Sequence, residues 1–157
     1  MKKFEIERRW ILKAKPNVFS WISYIITQAY GVDEIGPYRI RKSIEESSSK
    51  ITYYLTRKKY VSLGTFEEDE TEIPREQFYS CYSKCTDVLK KIRYIYEYKD
   101  FKFELDALLS GLILLEVELP KIDTPIEIPM FLKKLIITEI TGQSEFSNRN
   151  LALPINR

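Results

Sequence analysis

The chain is built from short runs in which charged and apolar residues alternate with a period of two. Within several of these runs the charged positions carry one sign. Lys3-Phe4-Glu5-Ile6-Glu7-Arg8-Arg9-Trp10-Ile11-Leu12 sets the pattern. Successive side chains of an extended strand point to opposite faces. Phe4, Ile6, Trp10 and Leu12 therefore share one face, with Arg8 as its polar exception, and Glu5, Glu7 and Arg9 share the other. The same spacing gives the acidic pairs Glu70/Glu72, Glu104/Asp106 and Glu116/Glu118. It also gives the basic pairs Arg39/Arg41 and Lys91/Arg93, with Lys58 on a further strand. An antiparallel sheet with one solvated face accounts for the alternation of any single run. It does not account for the signs. Like charges set side by side on a solvated face repel for no return, whereas they suit a ligand of opposite charge held between them.

Closing a sheet of about eight strands makes an interior just wide enough for a small ligand. The expected fold is therefore mainly β, of the α+β kind: a closed antiparallel β-tunnel of about eight strands with a few flanking helices. It is expected as a single domain over residues 1–157. A tunnel lined by carboxylates on some strands and by Arg and Lys on others suits one ligand class above others, a metal-bound, multiply charged phosphate chain. The carboxylates hold the divalent ion and the cations grip the polyanion.

Composition narrows the chemistry further. The 157 residues suffice for a core without staples. Charged residues make up 31% of the chain, yet the net charge is only +2, which argues against a protein that coats nucleic acid. There is no histidine. Ser-His-Asp triads, Cys-His pairs and His-based zinc sites are excluded, and any metal site must use oxygen ligands, which suit hard cations such as Mg²⁺, Mn²⁺ or Ca²⁺. Cys81 and Cys85, four apart on an expected helix, read as packing thiols. No Gly-x-x-x-x-Gly-Lys-Ser/Thr loop, Gly-x-Gly-x-x-Gly run or kinase-like catalytic loop occurs, so phosphate must be held by side chains. The absence of an apolar leader or membrane-spanning run points to a cytoplasmic protein with no membrane partner. Its expected state is a monomer or homodimer.

Between the charged runs, Val18, Trp21, Ile22 and Ile25 recur at helical spacing and predict a short helix before Thr27. Residues 38–42 and 51–58 read as strands joined by a polar hairpin loop. Phe78, Cys81, Tyr82, Cys85 and Val88/Leu89 predict an amphipathic helix of about four turns from Pro74 to Lys90. Both helices are expected to cover the tunnel's apolar outside. Strands follow over 91–94, 101–106 and 112–119, then a helical turn over 131–135, a last strand or turn over 136–141 and a tail from Asn148.

These residues also resemble a known family. Glu5-Ile6-Glu7-Arg8-Arg9 is similar to the Glu-x-Glu-x-Lys signature that opens CYTH domains, the triphosphate tunnel metalloenzymes. Gln28-Ala29-Tyr30 resembles that family's Gln-Gly-Tyr, Arg39-Ile40-Arg41 its Arg-x-Arg, and Thr56-Arg57-Lys58 its Thr-x-Lys. Glu70-Thr71-Glu72-Ile73, Lys91-Ile92-Arg93-Tyr94, Glu104-Leu105-Asp106, Glu116-Val117-Glu118 and Glu139-Ile140-Thr141-Gly142 follow in the family's order. The resemblance implies a closed eight-stranded tunnel acting on a small-molecule triphosphate with Mg²⁺ or Mn²⁺. It implies that Glu5, Glu7, Glu116 and Glu118 hold metal, with Asp106, Glu70 and Glu72 contributing. It further implies that Arg39, Arg41, Lys58, Lys91, Arg93 and Arg149 bind phosphates, and that Arg9 and Tyr30 stand at catalytic positions. Arg9 departs from the signature lysine, which in some members pairs with the tyrosine matching Tyr30. An arginine keeps the charge but cannot lose its proton near neutral pH. Three activities fit the pattern: hydrolysis of a triphosphate, class IV-type adenylyl cyclisation of ATP to cyclic AMP and pyrophosphate, and non-catalytic binding of nucleotide or polyphosphate.

Overall fold

In the computed structural model, which describes residues 2–157, the alternating runs form long strands: β1 (Lys2–Leu12), β2 (Ile22–Val32), β3 (Pro37–Glu45), β4 (Ile51–Ser62), β5 (Thr65–Glu72), β6 (Asp87–Tyr98), β7 (Phe101–Leu108) and β8 (Ile113–Glu118). Round the ring their order is β1-β8-β7-β6-β2-β3-β4-β5, and β5 pairs with β1 to close it. Every pairing is antiparallel, as expected. Two short strands, β9 (Ile136–Glu139) and β10 (Leu153–Pro154), add to β1 and β6. Among the described residues no helix is long and apolar enough to cross a membrane.

Two expectations for the outer layer fail. The stretch around Trp21 is not a helix, because Ile22 begins β2, which pairs continuously with both β3 and β6. Ile22 and Ile25 are exposed, so their helical spacing recorded no buried face. The β-branched and aromatic residues from Ile22 to Tyr30 follow their strand preference instead. The second helix is also shorter than its apolar spacing suggests. Helix α1 spans only Arg75–Tyr82, and Asp87 already opens β6. Cys85 lies beyond the helix, and Val88 and Leu89 point to opposite faces of a strand, opposite Ala29 and Gln28. Both cysteines are free, with Cys85 buried and Cys81 half-buried.

Three apolar clusters hold this frame. Helix α1 lies over the outside of β2, β3 and β4, where Phe78 packs with Ala29, Tyr38, Ile40 and Tyr53. The outer faces of β1, β7 and β8 give Trp10, Leu12, Phe103, Leu105, Leu115 and Val117. They are covered by Leu119, by Trp21 and by Leu132 of helix α2 (Met130–Lys133). The third cluster is inside. Leu89, Leu108 and Leu114 face inward beside the charged positions of their strands and pack with Ile140, so one end of the tunnel is plugged by apolar side chains. Phe78 is the one buried residue of α1. Phe78→Ala is expected to lower stability by about 3–5 kcal/mol, read as a fall in the thermal unfolding midpoint.

Candidate active site in the tunnel

Residues paired across neighbouring strands share a face, and the ring therefore has two chemically different halves. Adjacent strands β5, β1, β8 and β7 carry Glu68, Glu70 and Glu72, then Glu5 and Glu7, then Glu116 and Glu118, then Glu104 and Asp106. The facing strands β6, β3 and β4 carry Lys91 and Arg93, Arg39 and Arg41, and Lys58. Between β6 and β3, β2 contributes the neutral Gln28 and Tyr30. Arg9 stands among the acids.

On the acidic side, oxygens of Glu5, Glu7 and Glu116 all lie within 4.8 Å of one another. Burial, then the neighbouring Glu116, pushes the Glu7 carboxyl well above the usual range. Burial also raises Glu5, but Lys58 and hydrogen bonds with Glu68 and Glu7 more than offset that and leave it low. For Glu116, burial is likewise outweighed, by the hydrogen bond with Glu7 and by Arg9 and Arg93. Burial and mutual repulsion of the three carboxyls would both be relieved by a cation held between them. Three crowded carboxylates and a set of oxygen ligands alone fit a hard divalent ion. Lys58 Nζ lies 2.7 Å from Glu5 and 3.6 Å from Glu68, bridging the two. Glycine makes this close approach possible. Gly64, at the β4–β5 turn with φ of +68°, accepts the Glu7 backbone N–H at 2.9 Å, and a Cβ there would lie 2.7 Å from the Glu7 carbonyl oxygen.

The basic side is organised around two carboxylates already engaged. Asp106 accepts from Lys91 Nζ at 2.8 Å and from Arg93 Nε and Nη2 at 2.8 and 2.9 Å. Burial would raise its carboxyl, but Arg93 and Lys91 hold it well below the usual range. Burial pulls Lys91 down to about 7 against the attraction of Asp106. Arg93 also reaches Glu104 at 3.2 Å. Arg39 Nη2 donates to Thr56 at 3.2 Å and to Glu70 at 3.5 Å, while the Thr56 hydroxyl donates to Glu70 at 2.8 Å. Arg41 is different. Burial, then Arg39 and Arg93 close by, lowers it to about 10, so it remains charged at neutral pH. Its buried Nε has no hydrogen-bond partner, nor has that of Arg39. Arg41 and Arg93 line a cavity of about 270 Å³ together with Glu70, Glu104, Tyr24 and Tyr54. Buried unpaired donors are costly and rare. Two guanidinium groups with spare donors on one wall make an anion grip.

The residues singled out from sequence thus separate into groups. Glu5, Glu7 and Glu116 meet. Asp106 and Glu70 bind arginine or lysine instead, and Glu72 and Glu118 are exposed. Arg39, Arg41, Lys58, Lys91 and Arg93 all project inward. Arg149, on the short helix α3 (Asn148–Leu151), bonds Asp87 at 3.0 Å, with its guanidinium 5.3 Å from the Tyr30 ring centre. Arg9 Nε lies 3.3 Å from Glu116 and its Nη1 donates to the Phe146 carbonyl at 2.9 Å. The Tyr30 hydroxyl accepts from Gln28 Nε2 at 2.6 Å. The sequence places Glu104, Thr56 and Gln28 in its charged pairs and motifs without giving them a role in the site, and gives none to Glu68. Their phase gives the signal: Glu68 precedes Glu70 by two, Glu104 Asp106 by two, and Thr56 Lys58 by two.

The sequence matches no protein-family model and no curated protein. Solved structures do match. The inorganic triphosphatase NE1496 is 23% identical, covers 98% of this chain and 97% of its own length, and superposes with a TM-score of 0.60. The PH1819 protein of Pyrococcus horikoshii OT3 is 20% identical over 83% of this chain and 85% of that one, also with a TM-score of 0.60. A conserved hypothetical protein of Pyrococcus furiosus is 21% identical over 83% and 84%, with a TM-score of 0.53. The likeness is one of fold, which in this chain is a closed antiparallel tunnel.

Proposed function

We propose that this tunnel hydrolyses a triphosphate, inorganic tripolyphosphate or an organic triphosphate, with Mg²⁺ or Mn²⁺ as the ion. The observation that carries the reading is the half-buried Arg41, its buried Nε without a hydrogen-bond partner, set beside Arg39 and Arg93 on one wall while Glu5, Glu7 and Glu116 crowd the other. The fold shared with the inorganic triphosphatase NE1496 supports it.

Glu5, Glu7 and Glu116 would hold the ion, which polarises phosphate oxygens and lowers the pKa of a neighbouring water. Asp106 and Glu70 set the geometry of the cations rather than joining the trio. Arg39, Arg41 and Arg93 take phosphoryl oxygens with planar forks that match them, and Lys58 adds a point charge from the acidic side. In the reaction a water oxygen bonds to the terminal phosphorus and the bond to the bridging oxygen breaks. The bridging oxygen leaves with the electron pair, and the water's proton goes to solvent. The arginines offset the charge that gathers on the leaving oxygen. Arg9 contributes fixed charge beside Glu116 and no proton transfer, because a guanidinium does not deprotonate near neutral pH.

Phosphate release should be assayed with tripolyphosphate, thiamine triphosphate, ATP and GTP in Mg²⁺ and in Mn²⁺. Orthophosphate is expected from at least one of them, and EDTA is expected to abolish it. Cyclic AMP plus pyrophosphate from ATP would make the protein a cyclase. Tight, salt-dependent binding without turnover in either metal would make it a polyphosphate binder.

A further inference from the structure

Arg41 and Arg93 are only part of the lining of the 270 Å³ cavity. The rest of its wall is largely neutral, made by Tyr24, Ile26, Ser43, Thr52, Tyr54 and Ile95. Lys102 and Glu104 add one charge of each sign. Residue order along β6 sets this neutral part toward the end of the tunnel away from the apolar plug. Leu89 belongs to the plug, Lys91 and Arg93 follow as successive inward positions, and Ile95 comes next. Each arginine also has a phenol beside it on the neighbouring strand, Tyr24 opposite Arg93 and Tyr54 opposite Arg41. On β3, between these two tyrosines, Ser43 stands opposite Thr52. Of the chain's eleven tyrosines, all but Tyr24 and Tyr54 engage another ring or a cation. Among the described residues the Tyr24 and Tyr54 hydroxyls make no hydrogen bond either. Two half-buried phenols thus face into the site without a partner.

We propose that the triphosphate taken by this tunnel carries a flat aromatic ring, which lies on the Tyr24 and Tyr54 phenols while its phosphates meet Arg41 and Arg93. The inference rests on the triphosphatase reading above and narrows it to the organic, ring-bearing class. An inorganic phosphate chain is charged at both ends, and this part of the cavity offers no net charge to the second one. Aromatic side chains beside a cationic grip suit a ring joined to a phosphate chain, because stacking takes the ring and the cations take the phosphates. The Ser43 and Thr52 hydroxyls are placed to serve the polar linker between the two. Lys102 and Glu104 also line a neighbouring cavity of about 500 Å³, which leaves room for a ring system larger than the first cavity holds.

Titration calorimetry of the full chain, in EDTA and again in Ca²⁺, tests the ring separately from turnover. ATP, GTP and thiamine triphosphate are compared with methyl triphosphate, which has the three phosphates but no ring. At least one ring-bearing ligand is expected to bind about tenfold tighter than methyl triphosphate. The double variant Tyr24→Leu/Tyr54→Leu is expected to erase that margin, and Tyr24→Phe/Tyr54→Phe to keep it, since only the first removes the rings. Wild-type protein that binds every ring-bearing ligand no tighter than methyl triphosphate would overturn the proposal without recourse to any variant. So would a margin that survives in the leucine double variant. Absence of phosphate release from all of these ligands in Mg²⁺ and in Mn²⁺ is a separate result. It would overturn the hydrolase reading, whereas the tenfold margin would still show that the tunnel selects a ring.

Discussion

Arg41→Ala is expected to lower kcat/KM for tripolyphosphate by about 10²–10³-fold while leaving the protein as stable as the wild type or more so. The two halves of that result have one cause. Arg41 is half-buried, its buried Nε lacks a hydrogen-bond partner, and its charged neighbours include Arg39 and Arg93. In the protein alone it therefore contributes repulsion and an unsatisfied donor, both of which alanine removes. With a phosphate chain bound, the same group meets the charge that builds up in the transition state, and its loss raises the barrier by about 3–4 kcal/mol. Arg41→Lys keeps the charge but not the planar fork, so its kcat/KM is expected to fall between the two. Steady-state kinetics beside calorimetric unfolding checks both halves. A variant that loses stability together with activity would show Arg41 to be a structural residue, and one with full turnover would remove it from the site.

Much of this arrangement is legible in the amino-acid order, because a strand converts sequence spacing directly into facing direction. Glu5 and Glu7 can only share a face, and so can Arg39 and Arg41. The matching signs within each pair call for closure around a charged ligand. What spacing does not carry is register between strands. Glu7 stands directly opposite Glu118, yet the carboxylates that meet are Glu5, Glu7 and Glu116, where Glu116 is opposite Arg9. Strand tilt, invisible in a single run, brings the diagonal neighbour in and leaves Glu118 exposed. Asp106 reads as a metal ligand for the same reason. Only the pairing of β6 with β7 sets it opposite Arg93 and within reach of Lys91.

The two errors in the outer layer share a different origin. Short apolar spacings fit both periods, and no neighbouring element is visible to arbitrate. Between Cys81 and Leu89 the apolar residues serve three places: Cys81 in the last turn of α1, Cys85 buried beneath the exposed loop after it, and Val88 and Leu89 on opposite faces of β6. One helical face is the simplest summary of the positions, but it joins elements that the chain keeps apart. The resemblance to tunnel proteins survives these errors because it rests on the inward-facing residues, which the strand period alone sets.

Asp106→Asn is expected to cost about 3 kcal/mol of stability at pH 7, the penalty for breaking a buried ion pair from one side. Asp106 accepts from both Lys91 and Arg93, and the Lys91 side chain is wholly buried. Without the carboxylate Lys91 can shed its proton, since burial already draws it down to about 7. Arg93 cannot, and retains Glu104 at 3.2 Å and the more distant Glu116. The pH dependence follows from the sign of the shift. The folded-state pKa of Asp106 lies well below its ordinary value of 3.8, so the stability it contributes is fully present above that value. It is lost as pH falls through the folded-state pKa. Urea unfolding of both proteins should therefore show a stability gap that persists from pH 7 down to about pH 5. It should widen over that range, because the variant's neutral Lys91 takes up a proton on unfolding. The gap should then narrow steadily in stronger acid as the wild-type carboxylate takes up its proton. A gap that is absent at neutral pH, or unchanged in strong acid, would mean that the aspartate does not hold the two cations in place, and that the basic wall of the tunnel is positioned by other groups.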